Sequence, residues 1–208
     1  MLEVHIMKWL FFDLGSTLID ETDCIEHRIS DLLRQKNAPD RTVIEQKMQA
    51  YASQNRLPYK ETAEELGLEV IPWPKHLEKL YAEVPDMLEQ LSGKYKLGII
   101  ANQSLGTEER LKEYGIHHYF DIILSSAEEG IAKPDLQIFQ RALQRAGCTP
   151  EEACMIGDRL DNDIEPAGRL GMHTIWVKQG TFAYGDLNLI LHKPDVMVEH
   201  IQDVLGYF

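Results

Sequence analysis

Two aspartates of the sequence, Asp13 and Asp158, each follow a short apolar run of the kind that forms a buried strand. Asn102 follows another such run, and Lys133 lies in the loop after a further one. Two carboxylates that share one crevice repel each other unless a cation lies between them. Hard oxygen ligands select Mg²⁺, which keeps several of its waters and leaves room for a phosphoryl oxygen. These residue types therefore predict a magnesium site that can accept phosphate.

The elements that must position these residues are five short apolar runs and a weaker sixth. They occupy residues 8–14, 96–101, 121–124, 153–156, 173–177 and 195–198. Amphipathic segments with helical spacing lie between them, at residues 85–91, 105–114, 134–146 and 161–170. Strands that alternate with helices predict an α/β fold, a Rossmann-like doubly wound parallel sheet. Ligands bind at the carboxyl ends of such strands, so the four polar residues are expected to meet.

The stretch 21–83 interrupts this alternation. Its apolar residues repeat at helical spacing, as Ile25, Ile29 and Leu32 do, and strand-like runs are scarce. We interpret it as a small α-helical insertion after the first strand. The predicted division is thus an α/β core domain, residues 1–20 and 84–208, and a helical domain, residues 21–83.

Four ordered motifs make the sequence resemble the haloacid dehalogenase-like superfamily. They read FDLGSTL at 12–18, IIAN at 99–102, KPD at 133–135 and IGDRLDND at 156–163. The resemblance extends through the predicted core, and the family's position for a helical cap matches the insertion. It implies a magnesium-dependent hydrolase, most simply a phosphatase that acts on a small phosphorylated metabolite.

The resemblance also implies a role for each matching residue. Asp13 matches the nucleophile that becomes an aspartyl-phosphate, which splits a hard step into two. Lys133 matches the cation that balances the charge of the nucleophile and the phosphoryl group, in catalysis and in substrate binding. The implied Mg²⁺ ligands are Asp13, the backbone carbonyl of Gly15, Asp158 and Asp163, the last directly or through water.

Two positions depart from the family's pattern. The family's phosphatases usually have a second Asp where this chain has Gly15, and general acid–base help of that kind is typically worth about 10²–10⁴-fold. A Ser or Thr that usually binds the phosphoryl group is replaced by Ala101, which removes a hydrogen bond worth roughly 1.5–3 kcal/mol. Asn102 and Ser104 are candidates to replace it. With Lys133, the residues assigned to substrate binding are Thr17 and Asn102.

Three interpretations stay open. The first is a phosphatase for substrates with a good leaving group, such as a sugar 1-phosphate, or one with an acid from the cap, for which Asp20 is a weaker candidate. The second is a hydrolase of another bond, like the family's dehalogenases, which need no metal, or its phosphonate-cleaving members. Those need a cap lysine, for which Lys36, Lys47 and Lys60 are available. The third is a catalytically weak protein that binds phosphate or a protein partner.

The overall composition limits the classes of partner and the compartment that we expect for this protein. A net charge of -13 argues against nucleic acid, because phosphate backbones are bound by clustered Lys and Arg. The apolar runs are too short to span a membrane. The three cysteines match no zinc or disulfide spacing, and the segment MLEVHIMK has no features of a secretory signal. We therefore expect a cytoplasmic protein with a small phosphorylated partner, and the sequence leaves its oligomeric state open.

Overall fold

A six-stranded parallel sheet forms the centre of the protein in the computed structural model, which describes residues 6–208. In chain order the strands are β1 (Trp9–Phe12), β2 (Ile19–Asp20), β3 (Lys79–Leu80), β4 (Lys96–Ala101), β5 (Ile122–Ser125), β6 (Ala153–Gly157), β7 (His173–Val177) and β8 (Val196–Val198). The large sheet has the order β5-β4-β1-β6-β7-β8, while β2 and β3 form a separate antiparallel pair. The predicted doubly wound α/β fold is confirmed.

Eight α-helices surround and extend this sheet within the described part of the chain. They are α1 (Thr22–Arg34), α2 (Arg41–Ser53), α3 (Pro58–Leu66), α4 (Val84–Ser92), α5 (Thr107–Glu113), α6 (Ser126–Glu129), α7 (Leu136–Ala146) and α8 (Glu165–Leu170). Short 3₁₀ helices cover Lys75–Leu77, His117–Tyr119, Pro150–Glu152, Gly180–Phe182, Leu187–Leu189 and Ile201–Gly206. None of the helices of residues 6–208 combines the length and the apolar character needed to cross a bilayer.

Three predicted α-helices begin later than the sequence pattern indicated. The helix predicted at 105–114 starts at Thr107. The helix predicted at 134–146 starts at Leu136, because Asp135 is its N-cap and accepts a hydrogen bond from the backbone N of Gln137. The helix predicted at 161–170 opens as a π-helical turn, Leu160–Ile164, before α8. Pro166 lacks the N–H that a regular α-helix would use to bond back across this turn.

Strand β1 explains why the apolar run at its position is continuous. Leu10 and Phe12 point into the core cluster on one face of the sheet, and Trp9 and Phe11 point into the cluster on the other. All four residues are buried. A strand that is covered on both faces needs apolar residues at every position.

The stretch 21–83 contains helices α1, α2 and α3, which pack around an apolar cluster of their own. The two connections to it, β2 and β3, run side by side, with Ile19 opposite Leu80 and Asp20 opposite Lys79. The exact limits of the core and cap domains stay a prediction. Residues 1–5 of the predicted core domain, and with them most of the segment considered as a signal, lie outside the described residues.

The pairing of β1 with β4 generates a stability prediction at Gly98. A Cβ at this position would lie 2.6 Å from Cδ1 of Phe11 and 3.3 Å from the carbonyl oxygen of Ile122. We expect Gly98→Ala to lower the free energy of unfolding in urea by about 1–3 kcal/mol, because it overpacks the core.

The matched control for this substitution is Gly93→Ala, at the end of α4. A Cβ there would meet nothing closer than 3.6 Å, and φ is -70°. The control is expected to change stability by no more than about 1 kcal/mol, in the stabilising direction. Equal losses for the two variants would contradict the packing argument.

Candidate active site

Four residues singled out from the sequence meet at the carboxyl edge of the sheet. Asp13 follows β1, Asp158 follows β6, and Lys133 lies between α6 and α7. The Nζ of Lys133 donates to Oδ1 of Asp13 at 2.6 Å and to Oδ1 of Asp163 at 2.5 Å. The three aspartates each offer a carboxylate oxygen within 4.8 Å of the others. All four residues are buried. The predicted convergence is therefore observed, while the role of each residue stays a prediction.

The carboxylate of Asp158 lies in this cluster without a cationic partner. Within residues 6–208, no nitrogen of a lysine, arginine or histidine side chain forms an ion pair with it at 4.0 Å or less. Thr17 Oγ1 donates to its Oδ1 at 3.5 Å, which is long for a hydrogen bond. Burial raises the pKa of Asp158 well above its ordinary value, and the charges of Asp13 and Asp163 raise it further. A buried carboxylate with so little compensation fits a site that binds a divalent cation.

Asp163 holds Lys133 in place. Its second oxygen, Oδ2, accepts a hydrogen bond from the backbone N of Arg159 at 3.0 Å, and any Cβ at Gly157 would collide with its side chain. Burial lowers the pKa of Lys133, but the carboxylates of Asp13 and Asp163 outweigh burial and raise that pKa above its ordinary value. Lys133 is thus a fixed positive charge beside Asp13. Since both oxygens of Asp163 already accept hydrogen bonds, its role as a metal ligand remains a prediction.

The other two residues assigned to substrate binding have different surroundings. Asn102 lines the cavity described below. Its Nδ2 donates to the carbonyl oxygen of Lys133, and its Oδ1 accepts from the backbone N of Lys133, both at 2.8 Å. Thr17 is fully buried, is not among the cavity-lining residues and donates to Asp158. Ala101 is also fully buried. Asn102 therefore positions the lysine loop, and substrate binding by Asn102 and Thr17 stays a prediction.

The space above Gly15 is filled by the carboxyl group of Glu21, a residue that the sequence analysis missed. A Cβ built on Gly15 would lie 2.8 Å from Oε1 of Glu21, so no side chain fits there unless Glu21 moves. Ser16 Oγ donates to Oε2 of Glu21 at 2.8 Å. Burial, and to a smaller extent the charge of Asp13, raise the pKa of Glu21 to about 7 against the lowering effect of the Ser16 hydrogen bond. A carboxyl group therefore stands where the second Asp of the family's pattern would begin.

Glu21 reaches this place because the chain turns back directly after β1. The carbonyl oxygen of Leu14 accepts hydrogen bonds from the backbone N of residues 18 and 19, both at 2.9 Å. Asp20, the acid suggested from the sequence, instead accepts a hydrogen bond from the backbone N of Thr22 and does not line the cavity. The linear spacing of Gly15 and Glu21 carries no signal. Only the departure at Gly15 indicated that an acid was missing.

A cavity of about 430 Å³ lies between the helical insertion and the sheet. From the core it is lined by Asp13, Gly15, Ser16, Asn102, Gln103, Lys133, Asp158, Arg159, Asn162, Asp163, Thr181 and Phe182, and from the insertion by Glu21, Ile25, Arg28, Met48, Leu57, Pro58, Tyr59 and Trp73. Trp73, in the irregular stretch of the insertion, is one of the two aromatic residues that the insertion contributes to this lining. This volume is typical of sites for small ligands.

Residues 10–177 match the profile of the family described as haloacid dehalogenase-like hydrolase. The chain belongs to this family. It is 30% identical to a glyceraldehyde 3-phosphate phosphatase of Pyrococcus furiosus, over 93% of this chain and 90% of that protein. A protein of the same name from Methanothermobacter thermautotrophicus is 40% identical over 44% of this chain. That match spans only 41% of the relative, less than two thirds of its length.

The fold of the haloacid dehalogenase-like hydrolases extends over nearly the whole chain. A family hydrolase of solved structure from Streptococcus pneumoniae superposes with a TM-score of 0.67. It is 25% identical, and the superposition covers 97% of this chain and 98% of that one. The suspected family resemblance is therefore confirmed, including the part of the chain that forms the cap.

The residues of this family member fit the Mg²⁺ that the resemblance implies. Three buried carboxylates face a single ammonium group, that of Lys133, which bonds only two of them. Oxygen ligands of this kind suit a hard divalent cation. The residues that would hold it are the aspartates Asp13, Asp158 and Asp163, with the carbonyl of Gly15.

The uncompensated charge of Asp158 generates a prediction about cation binding. We expect added Mg²⁺ to stabilise the protein against thermal unfolding, by about 2.7 kcal/mol at a concentration one hundred times Kd. Asp158→Asn is expected to abolish this stabilisation. It is also expected to stabilise the metal-free protein, because it removes a buried charge that has no cationic partner.

The control for this measurement is Asp161→Asn, a matched charge change close by. Asp161 pairs with Arg159 on the surface side of the site, at 2.6 Å, and is not part of the carboxylate cluster. We expect it to keep the response to Mg²⁺. A response that survives in Asp158→Asn and disappears in Asp161→Asn would place the cation elsewhere.

Proposed function

We propose that this chain is a magnesium-dependent phosphatase that hydrolyses a small phosphorylated metabolite through an aspartyl-phosphate on Asp13. The observation that carries the proposal is the hydrogen bond of 2.6 Å between Lys133 and Asp13, two residues that line the cavity. It holds a carboxylate oxygen beside a fixed cation, where a phosphoryl group would be attracted. The names of the relatives as phosphatases support the same activity.

The reaction would proceed in two displacements. In the first, an oxygen of Asp13 attacks phosphorus, the bond to the ester oxygen breaks, and that oxygen takes up a proton and leaves as an alcohol. In the second, water attacks the phosphorus of the aspartyl-phosphate, the bond to Asp13 breaks, and inorganic phosphate leaves. Lys133 lies beside the site where negative charge develops in both steps, which favours their transition states. A bound Mg²⁺ would supply further positive charge for the phosphoryl oxygens.

We infer that Glu21 is the proton donor to the leaving oxygen. Its carboxyl group occupies the space in which the side chain of the family's second Asp would begin, at Gly15. Ser16 holds one of its oxygens and leaves Oε1 over Gly15, and Glu21 lines the cavity beside Asp13. After giving up its proton in the first displacement, the carboxylate would accept one from the attacking water in the second.

The contacts of the cap lysines favour a phosphatase over the phosphonate-cleaving alternative. None of Lys36, Lys47 and Lys60 is among the residues that line the cavity within 6–208. Lys47 instead pairs with Glu65 at 2.7 Å. A dehalogenase would not need the cluster of three buried carboxylates around a cation site.

The nucleophile is tested by Asp13→Asn. Without the attacking carboxylate, we expect hydrolysis of an aryl phosphate in the presence of Mg²⁺ to fall at least about a thousandfold. The measurement is release of the phenol, with an unfolding curve to establish that the variant folds. Asp20→Asn, outside the cavity, is expected to retain the activity. Activity that survives in Asp13→Asn would rule out the aspartyl-phosphate.

The proton donor is tested by the dependence of the rate on the leaving group. With Glu21 as acid, the rate across phosphate esters of increasing leaving-group pKa is expected to change little in the wild type. In Glu21→Gln it is expected to fall steeply, with a loss of about 10²–10⁴-fold for alkyl phosphates and a much smaller loss for activated aryl phosphates. Parallel slopes for the two proteins would contradict the assignment.

A relocated carboxylate provides the control for that measurement. Gly15→Asp alone is expected to reduce activity, because its Cβ would lie 2.8 Å from Oε1 of Glu21. The double variant Gly15→Asp/Glu21→Ala removes the collision and is expected to recover part of the activity on alkyl phosphates that Glu21→Gln loses. No recovery in a folded double variant would argue that position 15 cannot support the acid.

A further inference from the structure

Arg28 of helix α1 lines the cavity from its cap side, and its guanidinium lies against two aromatic rings. Its Cζ is 4.1 Å from the ring centroid of Tyr59 and 5.0 Å from that of Trp73. Its Nη2 donates to the carbonyl oxygen of Ile71 at 3.0 Å. Its Nε is buried and has no hydrogen-bond partner within residues 6–208. The side chain thus keeps donor capacity that the protein does not use.

Arg28 also differs from the other two cavity cations in having no acidic partner. Lys133 is paired with Asp13 and Asp163, and Arg159 is paired with Asp161 at 2.6 Å. No carboxylate of the described chain lies within 4.0 Å of the Arg28 guanidinium. Partial burial lowers the pKa of Arg28, against the smaller raising effects of Tyr59, Cys24 and Glu21.

The aromatic rings that hold Arg28 are themselves fixed. Nε1 of Trp73 donates to Oε1 of Glu78 at 2.6 Å, and Glu78 accepts a second hydrogen bond from Arg110 of the core. The hydroxyl of Tyr59 accepts a hydrogen bond from the backbone N of Ile71. A cation that is already held in one orientation loses little entropy when an anion binds to it.

The cavity therefore has a lysine at its inner end and an arginine on its cap side. At the inner end, Lys133 and the carboxylate cluster suit the phosphoryl group. On the cap side, the guanidinium of Arg28 lies against two aromatic rings, and the apolar residues Ile25, Met48 and Leu57 line the same cavity together with Glu21. A guanidinium in such surroundings binds oxyanions strongly, since water competes little and its N–H groups match two oxygens at once.

We propose that Arg28 binds a second oxyanionic group of the substrate, so that the preferred substrates are phosphate monoesters that also carry a carboxylate or a second phosphate on a short carbon chain. This inference rests on the proposed phosphatase function and specifies its substrate class. It distinguishes such compounds from phosphate esters of neutral alcohols and aldehydes, which would leave Arg28 without an anion.

The inference is tested with ligands that cannot be hydrolysed. Binding of methylphosphonate and of ω-phosphonocarboxylates of increasing chain length is measured by calorimetry in the presence of Mg²⁺, with alkyl bisphosphonates as a second series. In the wild type, one chain length of one series is expected to bind about ten- to a hundredfold tighter than methylphosphonate. Which series does so tells carboxylate from phosphate as the second group.

Arg28→Met is expected to abolish that preference, and Arg28→Lys to restore only part of it, because an ammonium group cannot bind two oxygens in a fork. The matched control is Arg56→Met. The Cζ of Arg56 lies 4.5 Å from the ring centroid of Tyr51 in the same helical insertion, and Arg56 is not among the cavity-lining residues. This substitution should leave the binding preference intact. In each variant, the ratio of kcat/KM for phosphocarboxylates to kcat/KM for an aryl phosphate should change in the same direction as the binding preference.

The two proposals fail in different ways. If wild-type protein and Arg28→Met share the same preference, the assignment of Arg28 is wrong, whatever the activity on the aryl phosphate. If neither series binds better than methylphosphonate to the wild type, the assignment is equally wrong. If the wild type has no Mg²⁺-dependent activity on any ester but still prefers an ω-phosphonocarboxylate, the phosphatase proposal fails and the oxyanion site stands.

Discussion

The buried ammonium group of Lys133 is the interaction on which the rest of the site depends. It bonds both Asp13 and Asp163, while Asp158 forms no ion pair within the described residues. Three acids can be buried side by side only if their charge is compensated, and one lysine compensates part of it. The remaining negative charge supports the proposal that a divalent cation binds at this edge of the sheet. Asn102 holds the backbone of the same lysine through two hydrogen bonds, which fixes the point from which its side chain extends.

The parts of the site that the sequence predicted are those that the sheet itself aligns. Parallel strands end at one edge, so an Asp after β1 and an Asp after β6 must lie near each other, whatever the loops do. β1 pairs with β4 on one side and with β6 on the other. The residues that follow these three strands therefore lie at neighbouring positions along the edge of the sheet. For this reason Asp13 and Asp158 could be placed from the pattern of apolar runs. Lys133, in a longer loop, needed the family resemblance as well.

The parts that could not be predicted depend on contacts between segments whose relative position has no linear signal. Glu21 fills the space above Gly15 only because the chain folds back through the turn at Leu14, and a turn of this kind is not encoded in periodicity. Trp73 lies in an irregular stretch, where an aromatic residue has no pattern to tell a cavity wall from a core. Arg28 on α1 looks, in sequence, like any charged residue on the outer face of an amphipathic helix.

The antiparallel pair of β2 and β3 places the cap on two adjacent connections, and Glu21 is the first residue after β2. An exchange of the whole cap at this junction would thus replace residue 21 together with Arg28 and the apolar cap residues that line the cavity. A cap exchanged in this way to change the substrate specificity would also change the residue that lies against Gly15. A graft that begins one residue later, at Thr22, would keep the native carboxyl group and change the outer part of the cavity alone.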